Sequence, residues 1–179
     1  MYQEGSIRYI ADSSLQAVTL PYAGGQFSMT IVLPRDHGAL AALEADLDGA
    51  RLRQLFDDLD RSRPSSIELY LPRFKMELSY SLKEIMKKLG IRDAFDSERA
   101  DFSAMGGDPG YLYIDNIVHK TFVEVNEKGT RAAAATSRRL RSLSANPVFR
   151  ADHPFLFFVR EHNTGTILFA GRVSNPQER

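Results

Sequence analysis

The sequence predicts an α+β fold built mostly of antiparallel sheet. Runs with the two-residue alternation of strands outnumber runs with helical spacing. The two kinds are not interleaved one for one, as a parallel α/β sheet requires, and the chain closes on two very apolar strand-like runs joined by a short turn. Taken in order, Ile7-Arg8-Tyr9-Ile10 alternates first, then residues 15–22 and 27–34, and Ala23-Gly24-Gly25 marks a hairpin between the last two. From Ala39 to Leu59 the spacing is helical, through Leu40, Leu43 and Leu47 and then Leu52, Leu55, Phe56 and Leu59. The break near Asp48-Gly49 divides this stretch into two short amphipathic helices. Pro64-Ser65-Ser66 is a loop, and residues 67–78 alternate again, with Pro72 predicting a break or a sheet edge because it has no amide hydrogen to donate. A helix follows over residues 81–89, periodic through Leu82, Ile85, Met86 and Leu89 and capped by Gly90. A polar loop centred on Met105-Gly106-Gly107-Asp108-Pro109-Gly110 leads into a long strand over residues 111–125. The closing strands, residues 154–160 and 166–173, flank the turn His162-Asn163-Thr164-Gly165, and their consecutive apolar residues predict burial on both faces.

The chain has 179 residues, 43% hydrophobic and 26% charged, enough for one globular domain with a sizeable core. Lys plus Arg (23) balance Asp plus Glu (23), so net charge gives no reason to expect a nucleic acid or an anionic membrane as partner. Cysteine is absent, which removes disulfides, thiolate metal sites and thiol nucleophiles together. No apolar run approaches the roughly 20 residues of a membrane helix, and Met1-Tyr2-Gln3-Glu4-Gly5 lacks a signal-peptide pattern. No Gly-x-Ser-x-Gly, His-Glu-x-x-His or phosphate-loop motif occurs, and the pair Asp57-Asp58 lies on a solvated helical face, so an enzyme is not expected. His37, His153 and His162 are scattered without ligand spacing, so neither a metal nor any other cofactor is expected.

One segment fits no core. Gly129-Thr130-Arg131-Ala132-Ala133-Ala134-Ala135-Thr136-Ser137 carries almost only small side chains, and the basic stretch from Arg138 to Pro147 follows it. A coreless run this long inside a compact domain is usually functional or disordered. If it extends, Thr130, Ala132, Ala134 and Thr136 share one face small enough to be buried between two strands, with Arg131, Ala133, Ala135 and Ser137 outward. A segment able to live as loop or strand can store and release strain on cleavage. The same composition also suits a flexible Ala-rich linker or a short helix. The cluster Arg138, Arg139 and Arg141 reads as a solvated cleavage loop or as a polyanion site.

Glu127-Lys128-Gly129-Thr130-Arg131-Ala132-Ala133-Ala134-Ala135-Thr136, preceded by His119-Lys120-Thr121-Phe122-Val123-Glu124-Val125-Asn126, resembles the last strand of the main sheet and the reactive-loop hinge of the serpin (serine protease inhibitor) superfamily. Phe149-Arg150-Ala151-Asp152-His153-Pro154-Phe155-Leu156-Phe157 and Leu168-Phe169-Ala170-Gly171-Arg172-Val173-Ser174-Asn175-Pro176 resemble its two signatures after the reactive site. Leu69-Tyr70-Leu71-Pro72-Arg73-Phe74, Leu89-Gly90-Ile91-Arg92-Asp93-Ala94-Phe95 and Ala100-Asp101-Phe102-Ser103 fit preceding segments, as do Leu20-Pro21-Tyr22 and Met29-Thr30-Ile31-Val32-Leu33-Pro34.

Met1-Tyr2-Gln3-Glu4-Gly5 resembles an internal segment of the family, so residues 1–179 are expected to form the C-terminal part of a single serpin domain, with the reactive-centre loop at about 127–148. The resemblance implies a suicide-substrate inhibitor: a protease cuts the loop, and the loop inserts into the main sheet while the acyl-enzyme is intact. Glu127, Gly129, Thr130, Ala132, Ala133, Ala134, Ala135 and Thr136 would be the hinge. Counting from Glu127 by the family's usual spacing places the cleaved bond at Leu143-Ser144, with Arg141-Ser142 as the alternative. Leucine suits a chymotrypsin-, cathepsin-G- or elastase-like pocket, and Arg141 a trypsin-like one. Arg138 falls on the inward parity after Thr136, where an unpaired guanidinium is costly to bury. His119 resembles the shutter histidine that ties strands of the main sheet, a role close to that of a hydrogen-bonded core histidine. The strand that would flank an inserted loop on its other side belongs to the missing N-terminal half, so a complementary N-terminal serpin chain is an expected partner. The alternatives are a non-inhibitory carrier or chaperone with this fold, and a fragment that is only a protease substrate. An extracellular location is expected from the family.

Overall fold

The computed structural model describes residues 1–126 and 146–176. Strands β1 (Tyr2–Ala11), β2 (Leu15–Pro21) and β3 (Phe27–Pro34) come first, then helices α1 (Leu40–Asp46) and α2 (Gly49–Arg61). Strands β4 (Ser65–Tyr70) and β5 (Phe74–Ser81), helix α3 (Lys83–Lys88) and a short 3-10 turn at Asp93–Phe95 follow. Strands β6 (Val118–Val125), β7 (Val148–Arg150), β8 (Phe155–Glu161) and β9 (Ile167–Val173) complete the chain. These elements divide into two compact units, one made of Met1–Phe74 with the described part of Val125–Arg179, the other of Lys75–Glu124. No helix among the described residues is long and apolar enough to cross a membrane.

The first unit is a seven-stranded sheet in the order β7-β4-β1-β2-β3-β8-β9. All its pairings are antiparallel except β4 with β7, which run parallel. The long β1 serves two neighbours, pairing through Tyr2–Ile7 with β4 and through Arg8–Ala11 with β2. Gly24 and Gly25 hold positive φ in the β2–β3 turn, the conformation the hairpin needs and other residues resist.

Register decides which side chains meet the helices. Ala17, Val32 and Leu156 are cross-strand partners on β2, β3 and β8, and with Leu15 and Phe158 they make the face on which Leu40 and Leu43 of α1 and Leu55, Phe56 and Leu59 of α2 pack. Asp48 separates the helices as predicted, because its carboxylate accepts the Arg51 amide at 2.8 Å and caps α2. Arg160 of β8 is buried on this same face, paired with Asp60 at 3.1 Å and lying 4.0 Å over the Phe56 ring. Asp57 and Asp58 are exposed, as expected.

The opposite face of β8 carries Phe155 and Phe157, whose rings meet Phe74 at 5.9 and 5.5 Å. Strand β8 is therefore buried on both faces, as its sequence predicts. Strand β9 is not: Ile167, Leu168 and Phe169 are 40%, 48% and 38% exposed. It is the last strand of the sheet, with β8 its one strand neighbour among the described residues, and burial returns only toward its end, at Gly171 and Val173. Gly171 of β9 sits against Phe157, where an added Cβ would lie 2.6 Å from the ring. Gly171→Ala is expected to lower stability by about 1–3 kcal/mol through overpacking, read as a lower urea midpoint; an unchanged midpoint would mean that the Phe157 ring moves aside freely.

In the second unit β5 and β6 form a two-stranded sheet. The break predicted at Pro72 falls between β4 and β5. Helix α3 ends at Lys88, and Gly90 just beyond it has φ +100°, in keeping with its predicted capping role. The long strand expected over 111–125 begins only at Val118. Gly106, Gly107 and Gly110 turn the chain through positive φ, and the amides of Gly110, Tyr111 and Ile114 donate to Ala100, Asp108 and Ala94 carbonyls. Those bonds commit the backbone before Val118 to a loop, so the alternation of Tyr111 and Tyr113 is not that of a strand.

Candidate functional site

The site expected from the sequence begins where β6 ends. Strand β6 alternates, with Thr121, Val123 and Val125 half-buried and Phe122 and Glu124 exposed. Its start is tied down by the Leu82 amide donating to the Ile117 carbonyl at 2.8 Å and by the Ser81 hydroxyl bonding the Asn116 side chain at 2.7 Å. Lys75 of β5 lies 5.4 Å over the Phe122 ring. Among the described residues β6 has β5 as its one strand neighbour, so its other edge carries no strand. From Val125 the chain passes through Asn126 directly into the expected hinge.

Glu127, Gly129, Thr130, Ala132, Ala133, Ala134, Ala135 and Thr136, and with them Arg138, Arg141, Ser142, Leu143 and Ser144, lie outside the described residues. The far end of the segment is described. The Pro147 carbonyl accepts the Glu68 amide at 3.0 Å, and from Val148 the chain is strand β7 beside β4. The proposed loop end at 148 thus falls just inside a ladder, and the Asn146 side chain bonds Glu4 at 3.4 Å.

His119 lies on β6, exposed, and makes no hydrogen bond among the described residues. Among the described residues it is therefore not a buried, hydrogen-bonded core histidine, since β5 is the one strand beside β6 there. A correction concerns His37 and His153, scattered in sequence but adjacent in the fold, their rings stacked at 4.2 Å and 17°. The antiparallel β3–β8 pairing brings the end of β3 beside the start of β8, and with them the residues just outside each strand. Asp152 completes the group at 2.8 Å from His153, and hydrogen bonding to that ring holds its carboxyl below the ordinary carboxylate range. His162 stays apart in the β8–β9 turn, its amide donating to the Gln26 carbonyl.

The family model described as Serpin (serine protease inhibitor) matches residues 1–176. The chain belongs to the serpin family. Human Serpin B8 is 41% identical over 98% of this serpin chain, and rat leukocyte elastase inhibitor A is likewise 41% identical over 98% of it. The chain covers 48% of each, so it spans about half the length of the curated relatives it matches. A crystal structure of uncleaved ovalbumin superposes with a TM-score of 0.77 at 31% identity, over 96% of this chain and 43% of that one. The serpin-like α+β fold, mostly sheet with a few short helices, is therefore that of part of a serpin. The expectation of an extracellular location is overturned: the matched relatives are B-clade serpins, which are intracellular.

Proposed function

We propose that this chain carries the bait and the strand-inserting half of an inhibitor of serine proteases. Its relatives include inhibitors by name, leukocyte elastase inhibitor A among them. The observation that carries the reading is the run of almost only small side chains from Gly129 to Ser137, with Arg131 the exception, which follows within four residues of the end of β6, a strand whose other edge carries no strand among the described residues. Both ends of the segment emerge from ladders, β6 before it and β7 after it. A serine protease of chymotrypsin-like fold would attack the Leu143 carbonyl through its serine hydroxyl, the Ser144 nitrogen leaving as an amine with the proton and Leu143 remaining as an ester on the enzyme. Insertion of residues 129–137 beside β6 before water attacks that ester would trap the enzyme. No residue of this chain does chemistry itself; the enzyme supplies nucleophile and base. A complementary N-terminal serpin chain is the partner that would supply the second flanking strand.

The test is to incubate the chain, alone and with that N-terminal half, with chymotrypsin, a neutrophil-type elastase and trypsin, followed by denaturing gels and mass spectrometry. A protease-inhibitor band that survives denaturation, with a released peptide starting at Ser144, is the expected result. A peptide starting at Ser142 would move the bond to Arg141 and the target to trypsin-like enzymes. Cleavage without such a band under both conditions would leave the chain a substrate only and end the inhibitor reading.

A further inference from the structure

Two imidazoles and a carboxylate converge where β3 ends and β8 begins. His153 is 7% exposed, and its Nε2 lies 2.8 Å from the Pro34 carbonyl oxygen. That oxygen can only accept, so Nε2 carries a proton. Nδ1 lies 2.8 Å from Asp152 Oδ1. In a singly protonated ring, Nδ1 therefore aims a lone pair at a carboxylate oxygen, an arrangement that calls for a cation at that position. His37 lies over the His153 ring, is exposed, and neither of its ring nitrogens has a hydrogen-bond partner among the described residues. One donor atom from each of the three residues falls within 4.8 Å of the others.

We propose that His37, Asp152 and His153 form a binding site for a first-row divalent cation, with zinc the best match. Two imidazoles and one carboxylate are a donor set zinc accepts, and three protein ligands leave one tetrahedral position for water. The Pro34 carbonyl does for His153 what outer partners of metal-ligating histidines do, fixing the tautomer and aiming the free nitrogen. Stacked rings cannot both point lone pairs at one ion, because a metal lies in the plane of each imidazole that binds it. His37 must therefore turn about its side-chain torsions, and its exposure and lack of hydrogen bonds leave it free to do so. The ion binds Nδ1 in place of a second ring proton, the exposed Asp152 carboxylate drawing back from its 2.8 Å contact to about 3.3 Å so that both atoms reach the metal, and where that proton is present it leaves to solvent. Bound there, a cation would join the segment after β3 to the segment before β8, and so favour the folded state of the sheet unit. None of this depends on the bait segment or on inhibition.

The experiment is calorimetric titration of zinc into the tag-free chain, with cobalt absorption as a second readout of coordination. One zinc per chain is expected, with a melting temperature that rises with zinc. His37→Ala and Asp152→Asn, both at exposed positions, should weaken binding at least about tenfold and remove the thermal shift, while His162→Ala leaves both unchanged. No zinc uptake by the wild-type chain, undiminished binding by His37→Ala, or loss of binding in His162→Ala would each overturn the proposal.

Discussion

Phe149→Ala is expected to destabilise the sheet unit by about 3–5 kcal/mol, the range for removing a fully buried phenylalanine. Phe149 is among the largest side chains with no exposed surface, and it sits at the centre of a three-residue strand flanked by exposed Val148 and Arg150. Three residues of parallel ladder against Glu68, Leu69 and Tyr70 are few hydrogen bonds to hold an edge. The buried ring is what fixes β7 in place, together with the Arg150 guanidinium lying 3.9 Å over the Tyr70 ring. Since domains are commonly stable by only about 5–15 kcal/mol, the loss should show as a large drop in the urea midpoint. It should also raise proteolytic sensitivity around Pro147, because the anchor of the proposed bait segment loosens with β7. A cost below about 1 kcal/mol would show that the site collapses around the missing ring.

Ala134→Arg is expected to convert the proposed trap into a plain substrate. On an inserted strand Ala134 shares the inward parity of Thr130, Ala132 and Thr136, where burying an unpaired guanidinium costs several kcal/mol, about 2–7 even for a neutral polar group. Insertion and ester hydrolysis compete from the same acyl-enzyme, so a barrier of that size on insertion hands the outcome to water. The number of chains cut per enzyme trapped should rise by more than about tenfold, each 1.4 kcal/mol being one factor of ten. Ala135→Arg, on the outward parity, should trap as well as the unchanged chain. Equal trapping by the Ala134 variant would show that burial of this face has no part in the reaction.

The residues that were legible in the sequence are those whose structure is decided by near neighbours. Gly24-Gly25 sets the β2–β3 turn, Asp48 caps α2, and Pro72 interrupts an alternating run between two strands of different sheets. What escaped depends on distant partners. The apolar run of β9 has the composition of a core strand, but its place at the end of the sheet, which pairing and not composition decides, leaves Leu168 exposed. Tyr111 and Tyr113 alternate like strand residues, yet hydrogen bonds to the backbone at Ala94 and Ala100 hold that stretch as loop. His37 and His153 belong to opposite ends of the chain, and only the β3–β8 register makes them neighbours. Of the candidate inhibitory site, the family motifs supplied an expectation for bait and hinge at residues outside those described, whereas the exposure of His119 follows from which strands stand beside β6.

The C-terminal strands lace into the sheet at two places, β7 along β4 at one edge and β8 along β3 near the other. A chain nicked at Leu143 would therefore be two polypeptides but one folded body. The piece beginning at Ser144 would stay fastened by the β3–β8 ladder and by Phe155 and Phe157 packed on Phe74. Under native conditions nicked and intact molecules should co-elute, and denaturant alone should part the fragments.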